Sequence, residues 1–183
     1  MPIKFAVAVF LALFAMAATA VEPKISVGDT HTLLLKTDGA VLAWGSNSSG
    51  QLGTGGSSTG TPTQIPNFTG VVDVVAKPGG FSMALKADGT VWVWGNVSDG
   101  RSGVPGLSGG QFKNTPFQVA ALQQIVSIAA TFSGRTAFAV DASGQVWSWG
   151  SGGSGELGDG LTTSSRAEPK PIAGATNVVK VAA

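Results

Sequence analysis

The sequence predicts an all-β fold: β-propeller blades of four antiparallel strands, about three of them followed by the first strand of a fourth, so that the ring is incomplete. Three observations lead there. A Trp-Gly pair recurs with one glycine cadence, as Trp44, Gly45, Gly50 and Gly53, then Trp94, Gly95, Gly100 and Gly103, then Trp149, Gly150, Gly155 and Gly158. Each unit of about 50 residues holds four short runs rich in valine, aromatics and threonine, punctuated by Gly, Pro, Asp and Ser. The run that carries the tryptophan is apolar on both faces, so it needs cover on two sides.

The second unit displays the elements in order. Val71 to Ala76, Phe81 to Lys86, Thr90 to Gly95 and Pro116 to Ala120 are the four expected strands. Asp88-Gly89 between the second and third predicts a tight two-residue hairpin turn, because glycine accepts the positive φ such turns need; Asp38-Gly39 and Ser143-Gly144 repeat it. In the third strand Val91 and Val93 share one face and Trp92 and Trp94 the other. The gap from the last Trp of each unit to the proline of its fourth strand is 18, 22 and 20 residues, so length varies in one loop per unit. Val178 to Ala183 copies Val71 to Ala76 and is the expected first strand of a fourth blade. A β-sandwich accounts for the strands but not for Trp, Gly and Pro recurring together.

Residues 1–20 stand apart as a signal peptide. Lys4 supplies a positive start, Phe5 to Ala17 is an unbroken apolar run, and Ala18-Thr19-Ala20 is a small-x-small cleavage signal. The apolar run is short against the roughly 20 residues that span a bilayer. The expectation is cleavage after Ala20 and a mature chain that is secreted, periplasmic or at the cell surface, with no membrane contact after cleavage. The remainder, 21–183, is the partial propeller, with units at about 25–73, 74–127 and 128–180. Loss of Lys4 leaves ten basic side chains against ten acidic ones, scattered along the chain, so nucleic acid is not an expected partner. There is no cysteine, and stability must come from packing.

The first unit reads Gly28-Asp29-Thr30-His31-Thr32-Leu33-Leu34-Leu35-Lys36-Thr37-Asp38-Gly39, then Val41-Leu42-Ala43-Trp44-Gly45-Ser46-Asn47, then Gly50-Gln51-Leu52-Gly53. This resembles the regulator of chromosome condensation repeat over about residues 25 to 183, in the form of a secreted bacterial-type member or a fragment. The resemblance implies a ring normally closed by seven blades, and motif residues that hold blades together. It also implies two functional classes, protein binding and guanine nucleotide exchange on a small GTPase. The histidine slot drifts from His31 to Phe81 to Thr136, and the Gln-Leu slot becomes Arg101-Ser102 in the second unit.

No catalytic constellation is legible, and no enzyme activity or cofactor is expected. His31 is the only histidine and fills a repeat slot. Asp38, Asp88 and Asp159 each precede a glycine and serve turns. The glycines from Gly150 to Gly160 lack the Lys-Ser/Thr of a phosphate loop, and Leu157 stands where a calcium-binding nonapeptide needs Asp, so no metal site is expected. The structural repeat positions Trp44, Gly45, Trp94, Gly95, Trp149 and Gly150 are expected between blades. For function, the longest loop, Arg101 to Thr115, is the candidate partner-binding element through Arg101, Val104, Leu107, Phe112 and Lys113. The reading is a secreted, non-catalytic scaffold for protein binding; the alternatives are an exchange factor-like regulator and a spacer part of a longer surface protein. Uncovered blade edges also predict self-association.

Overall fold

A computed structural model describes residues 21–107, 111–162 and 165–182; the expected signal peptide lies outside the described residues. The first sheet contains β1 (Lys24–Val27), β2 (His31–Leu35), β3 (Val41–Gly45) and β4 (Thr59–Gln64). The second contains β5 (Val71–Lys77), β6 (Phe81–Lys86), β7 (Val91–Asn96) and β8 (Phe112–Gln118). The third contains β9 (Ile125–Ala130), β10 (Thr136–Asp141), β11 (Val146–Gly150) and β12 (Arg166–Pro171). Each is an antiparallel meander in chain order, and successive sheets stack face to face as propeller blades do. The sheets open at Val71 and Ile125, a few residues ahead of the unit boundaries read from the repeat.

The core is two seams. Leu33, Leu35, Val41 and Ala43 of the first sheet meet Val74, Ala84 and Trp94 of the second; Val91, Val93 and Met83 of the second meet Ile128, Ala137, Ala139 and Trp149 of the third. Strand β7 therefore faces both ways as its alternation requires, valines to one neighbour and indoles to the other. Phe68 sits edge-on to Trp92 and Trp94, at 5.6 Å from each ring centroid, and the Lys86 ammonium lies 4.7 Å from the Phe68 and Trp92 centroids. Trp44 differs. It is half-buried, because no described sheet precedes the first.

The Trp-Gly pair has a backbone cause. Gly45, Gly95 and Gly150 take φ of 111°, 85° and 104°, and at each the ladder to the fourth strand slips. The following N–H then donates to the carbonyl of Thr30, Gly80 or Arg135 at 2.8 Å. A Cβ on the glycine would run into that same carbonyl. The last glycine of the cadence makes room for the next blade: a Cβ on Gly53 would lie 2.8 Å from Trp94 Nε1, and one on Gly103 3.3 Å from Trp149 Nε1.

Two local expectations change. The hairpin turns give positive φ to the glycine alone (Gly39 76°, Gly89 78°, Gly144 83°), with Gly39 N–H donating to Lys36 O at 3.0 Å. They are type I turns with a glycine bulge, not two-residue turns, which leaves the Asp of Asp-Gly free to accept the Ala40 and Thr90 N–H groups at 3.0 Å. The fourth strand of the second sheet begins at Phe112, ahead of the expected Pro116, and Asn96 and Gly95 pair with Phe112 and Lys113. At the far end, Val178 N–H donates to Gly144 O at 3.0 Å as Val71 does to Gly39 O at 3.1 Å and Ile125 to Gly89 O at 3.0 Å. The segment thus enters the position of a fourth blade's first strand, and without a described neighbour it forms no ladder.

Trp94→Ala removes the largest side chain of the first seam and should cost about 3–5 kcal/mol, a large share of the roughly 5–15 kcal/mol available to a domain; denaturant titration measures it. Gly95→Ala should cost about 2 kcal/mol or more from the positive φ and the carbonyl clash, whereas Gly60→Ala, in open space, should be close to neutral in the same assay.

Candidate functional site

Antiparallel meanders place the β1–β2, β5–β6 and β9–β10 turns at the same end as the long loops 46–58, 97–111 and 151–165. This loop-bearing end is where the expected partner-binding residues lie, and the structure separates them. Phe112 is 55% exposed, but at the start of β8 rather than on a free loop. Lys113, half-buried, lies on β8 with its ammonium 5.8 Å from the Phe117 ring centroid. Val104 and Leu107 are half-buried, and their backbone carbonyls accept the Ser102 hydroxyl at 3.0 and 3.3 Å, curling the loop on itself. Arg101 is buried, with only 5% of its side chain accessible, and is no surface contact.

Arg101 is buried because its backbone belongs to a seam. Trp94 Nε1 donates to Gln51 O at 2.9 Å, and Trp149 Nε1 donates to Arg101 O at 3.2 Å in the equivalent slot. In the first unit Gln51 Oε1 also accepts Ser49 N–H at 2.8 Å, and in the third Glu156 Oε2 accepts Ser154 N–H at 2.7 Å. Arginine has no acceptor to offer, so this bond has no equivalent from Arg101; the Asn96 Oδ1 that accepts at 3.2 Å there takes the neighbouring Ser98 N–H.

A residue the sequence reading passed over is Phe132, 82% exposed in the β9–β10 turn. The same turn carries Arg135, exposed, with no hydrogen bond or ion pair from its guanidinium among the described residues. The available signal was alignment within the repeat: Phe132 stands where Val27 and Lys77 stand in the other units.

His31 lies in the first seam rather than at the loop surface. Its Nε2 is 2.9 Å from Ser82 Oγ, and Ser82 Oγ donates its one proton to Gln51 O at 2.8 Å. The imidazole is therefore the donor, and Nδ1 is left buried without a partner among the described residues. Such a pair cannot activate the serine, whose proton already points away from the histidine. Burial lowers the His31 pKa to about 4, with Asp29 pulling the other way.

Comparison with known proteins agrees with this architecture. The model of the regulator of chromosome condensation (RCC1) repeat matches residues 24–51 in one form and 38–85 and 143–183 in another. The human probable E3 ubiquitin-protein ligase HERC6 is 35% identical over 150 residues, covering 79% of this chain and 14% of that protein. Human E3 ubiquitin-protein ligase HERC2 is 34% identical over 148 residues, 80% of this chain and 3% of that protein. Among solved structures, yeast RCC1 (Prp20) bound to Kap60 superposes with a TM-score of 0.67 at 26% identity, over 87% of this chain and 39% of that one. Prp20p of Saccharomyces cerevisiae, described with its binding to Gsp1p and histones, gives 0.68 at 23% identity, over 81% of this chain and 37% of that one. The chain spans a small part of these ligases and about two-fifths of the solved propellers.

The histidine has a measurable signature. Its folded pKa of about 4 lies below the ordinary 6.5, so between those values the unfolded chain binds the extra proton and stability falls as the pH drops. The unfolding free energy from denaturant titration should lose about 3 kcal/mol from this group between pH 7 and pH 4. His31→Thr, which installs the third unit's residue, should remove that part of the pH dependence.

Proposed function

Because the chain belongs to the regulator of chromosome condensation repeat family, we propose that it is an exported, non-catalytic β-propeller scaffold that binds a protein through its loop-bearing end. The observation that supports this is a pair of large aromatic side chains on that end, Phe112 and Phe132, exposed at 55% and 82%. Phe112 is fixed at a strand end and Phe132 in a short turn whose Gly134 N–H is bonded to Thr131 O at 2.8 Å. Rigid, exposed aromatics lose little entropy on docking, and that is the character of interface anchors. The protein partners of the yeast relative, Kap60, Gsp1p and histones, support protein binding at the level of the family. The leader-like residues 1–20 support export.

The alternatives, nucleotide exchange on a small GTPase and service as a spacer in a longer surface protein, differ in location and in what they need from Phe112 and Phe132. Exported protein should begin at Val21 by N-terminal sequencing. When wild type and a Phe112→Ala, Phe132→Ala pair are used to capture partners from the extracellular fraction, the double variant should melt like the parent and lose the partner. Equal recovery by both proteins would overturn the proposal, and an uncleaved cytosolic product would favour exchange activity.

A further inference from the structure

The second unit departs from the repeat at one buried position in a way that costs stability. Its Arg101 places Nε and Nη1 in the interior without partners among the described residues, where Nη2 alone is bonded, to Asp99 Oδ2 at 3.2 Å and Ser98 Oγ at 3.4 Å. Leaving charged donors buried and unpaired is among the more expensive things a fold can do. The slot does not require it, since the same position holds Gln51 and Glu156 in the flanking units, each with its side chain bonded.

The surroundings of the guanidinium have the form of a cradle. Its cover is Gly79, exposed and with φ of 77°, where an added Cβ would lie 3.5 Å from Arg101 Nη1 and 3.9 Å from Ser133 O. The β9–β10 turn packs on this glycine turn: a Cβ on Gly134 would lie 2.6 Å from Pro78 O. That turn brings Arg135 close enough to oppose the Arg101 charge, which adds to the lowering of the Arg101 pKa by burial, while Asp99 counters it. The remaining carboxylate nearby, Asp29, is turned to the Gly79 N–H at 3.3 Å. The Arg101 guanidinium thus lies under a glycine turn, paired with Asp99 alone, and the turn packed on that glycine carries Arg135 and the exposed Phe132.

We propose that the seam between the second and third sheets, at the loop-bearing end, receives a carboxylate from an acidic segment of the protein partner. Arg101 Nε and Nη1 are the buried donors, reached by a shift of the Gly79–Gly80 turn. Arg135 is the exposed donor, and Phe132 packs against the apolar part of the segment. Planar guanidinium forks match carboxylates in two-pronged fashion, and charged hydrogen bonds in a desolvated setting are the strong ones. The proposal rests on the protein-binding reading above and adds the chemistry of the partner.

The test uses a short synthetic peptide of glutamates around one phenylalanine, and the same peptide with glutamine for glutamate, titrated calorimetrically into the mature chain at low and high salt. The glutamate peptide should bind, the glutamine peptide should not, and salt should weaken the binding. Arg101→Gln, the first unit's own residue, and Arg135→Gln should each lower affinity by about tenfold or more. Arg101→Gln should also melt at an equal or higher temperature than the parent, because it removes buried charged donors that lack partners. Equal binding of the two peptides, no binding of either, or unchanged affinity in Arg135→Gln would overturn the site. So would a destabilised Arg101→Gln, which would make the guanidinium a structural bond. Each of those results leaves the Phe112 and Phe132 capture experiment to judge protein binding separately.

Discussion

The hydrogen bond from an indole N–H of one blade to a loop carbonyl of the blade before it sets the geometry of this stack. A buried indole needs an acceptor, since an unpaired N–H in the interior forfeits the favourable energy of burying the ring. Gln51 O and Arg101 O supply it to Trp94 and Trp149. For a carbonyl to stand there, the loop after the third strand must double back at once. Gly45 and Gly95 begin that reversal, and Gly53 and Gly103 let the next indole come close. One polar contact thus accounts for the Trp, the Gly that follows it and the last glycine of the cadence.

Most of this architecture was legible because its causes are local or repeated. The strand order, the two-sided character of β7 and the turn role of Asp38 and Asp88 follow from alternation and glycine placement. The outer strands were less legible for a physical reason. Strand β4, Thr59–Gln64, is mostly exposed, and β8 begins with Phe112-Lys113-Asn114-Thr115, so neither carries a hydrophobic alternation from end to end; their pairing comes from the ladder to β3 and β7. For Arg101, charge and loop position both point outward in the sequence. Its burial follows from the carbonyl it must present to Trp149, a constraint that exists only between blades. The turn around Phe132 copies no motif that would single it out, and for Trp44 the repeat implies a seam whose other side no described sheet supplies.

The two ends of the stack carry the same seam chemistry without its complement. Ile25 and Val27 lie on the open face of the first sheet, exposed, beside the half-buried Trp44, whose indole N–H has no acceptor among the described residues. At the other end the Glu156 side chain braces its loop as Gln51 does, and among the described residues no indole donates to the Glu156 carbonyl. Stability in such arrays is a sum of units and of the contacts between neighbours. A surface that covers either end therefore gains most by presenting another blade, with an indole donor on one side or a loop carbonyl on the other.

Polar satisfaction distinguishes drift in the repeat from departures that demand a cause. The histidine slot has changed freely, and every occupant is accommodated: His31 donates to Ser82, Phe81 joins the apolar seam, and Thr136 Oγ1 donates to Ser151 O at 3.0 Å. Only the unused Nδ1 of His31 lacks a partner, and a neutral nitrogen acceptor is the mildest of such costs. The Gln-Leu slot has changed once, to Arg101-Ser102, and the outcome is of another kind. Ser102 is satisfied within its loop, while Arg101 pairs with Asp99 through Nη2 alone and keeps Nε and Nη1 in the interior without partners among the described residues. The neighbouring units fill the same slot with bonded side chains, so the repeat itself does not call for that charge. Unused guanidinium donors under a glycine turn, with a second arginine on the turn packed against it, suit an anion that approaches the seam from outside.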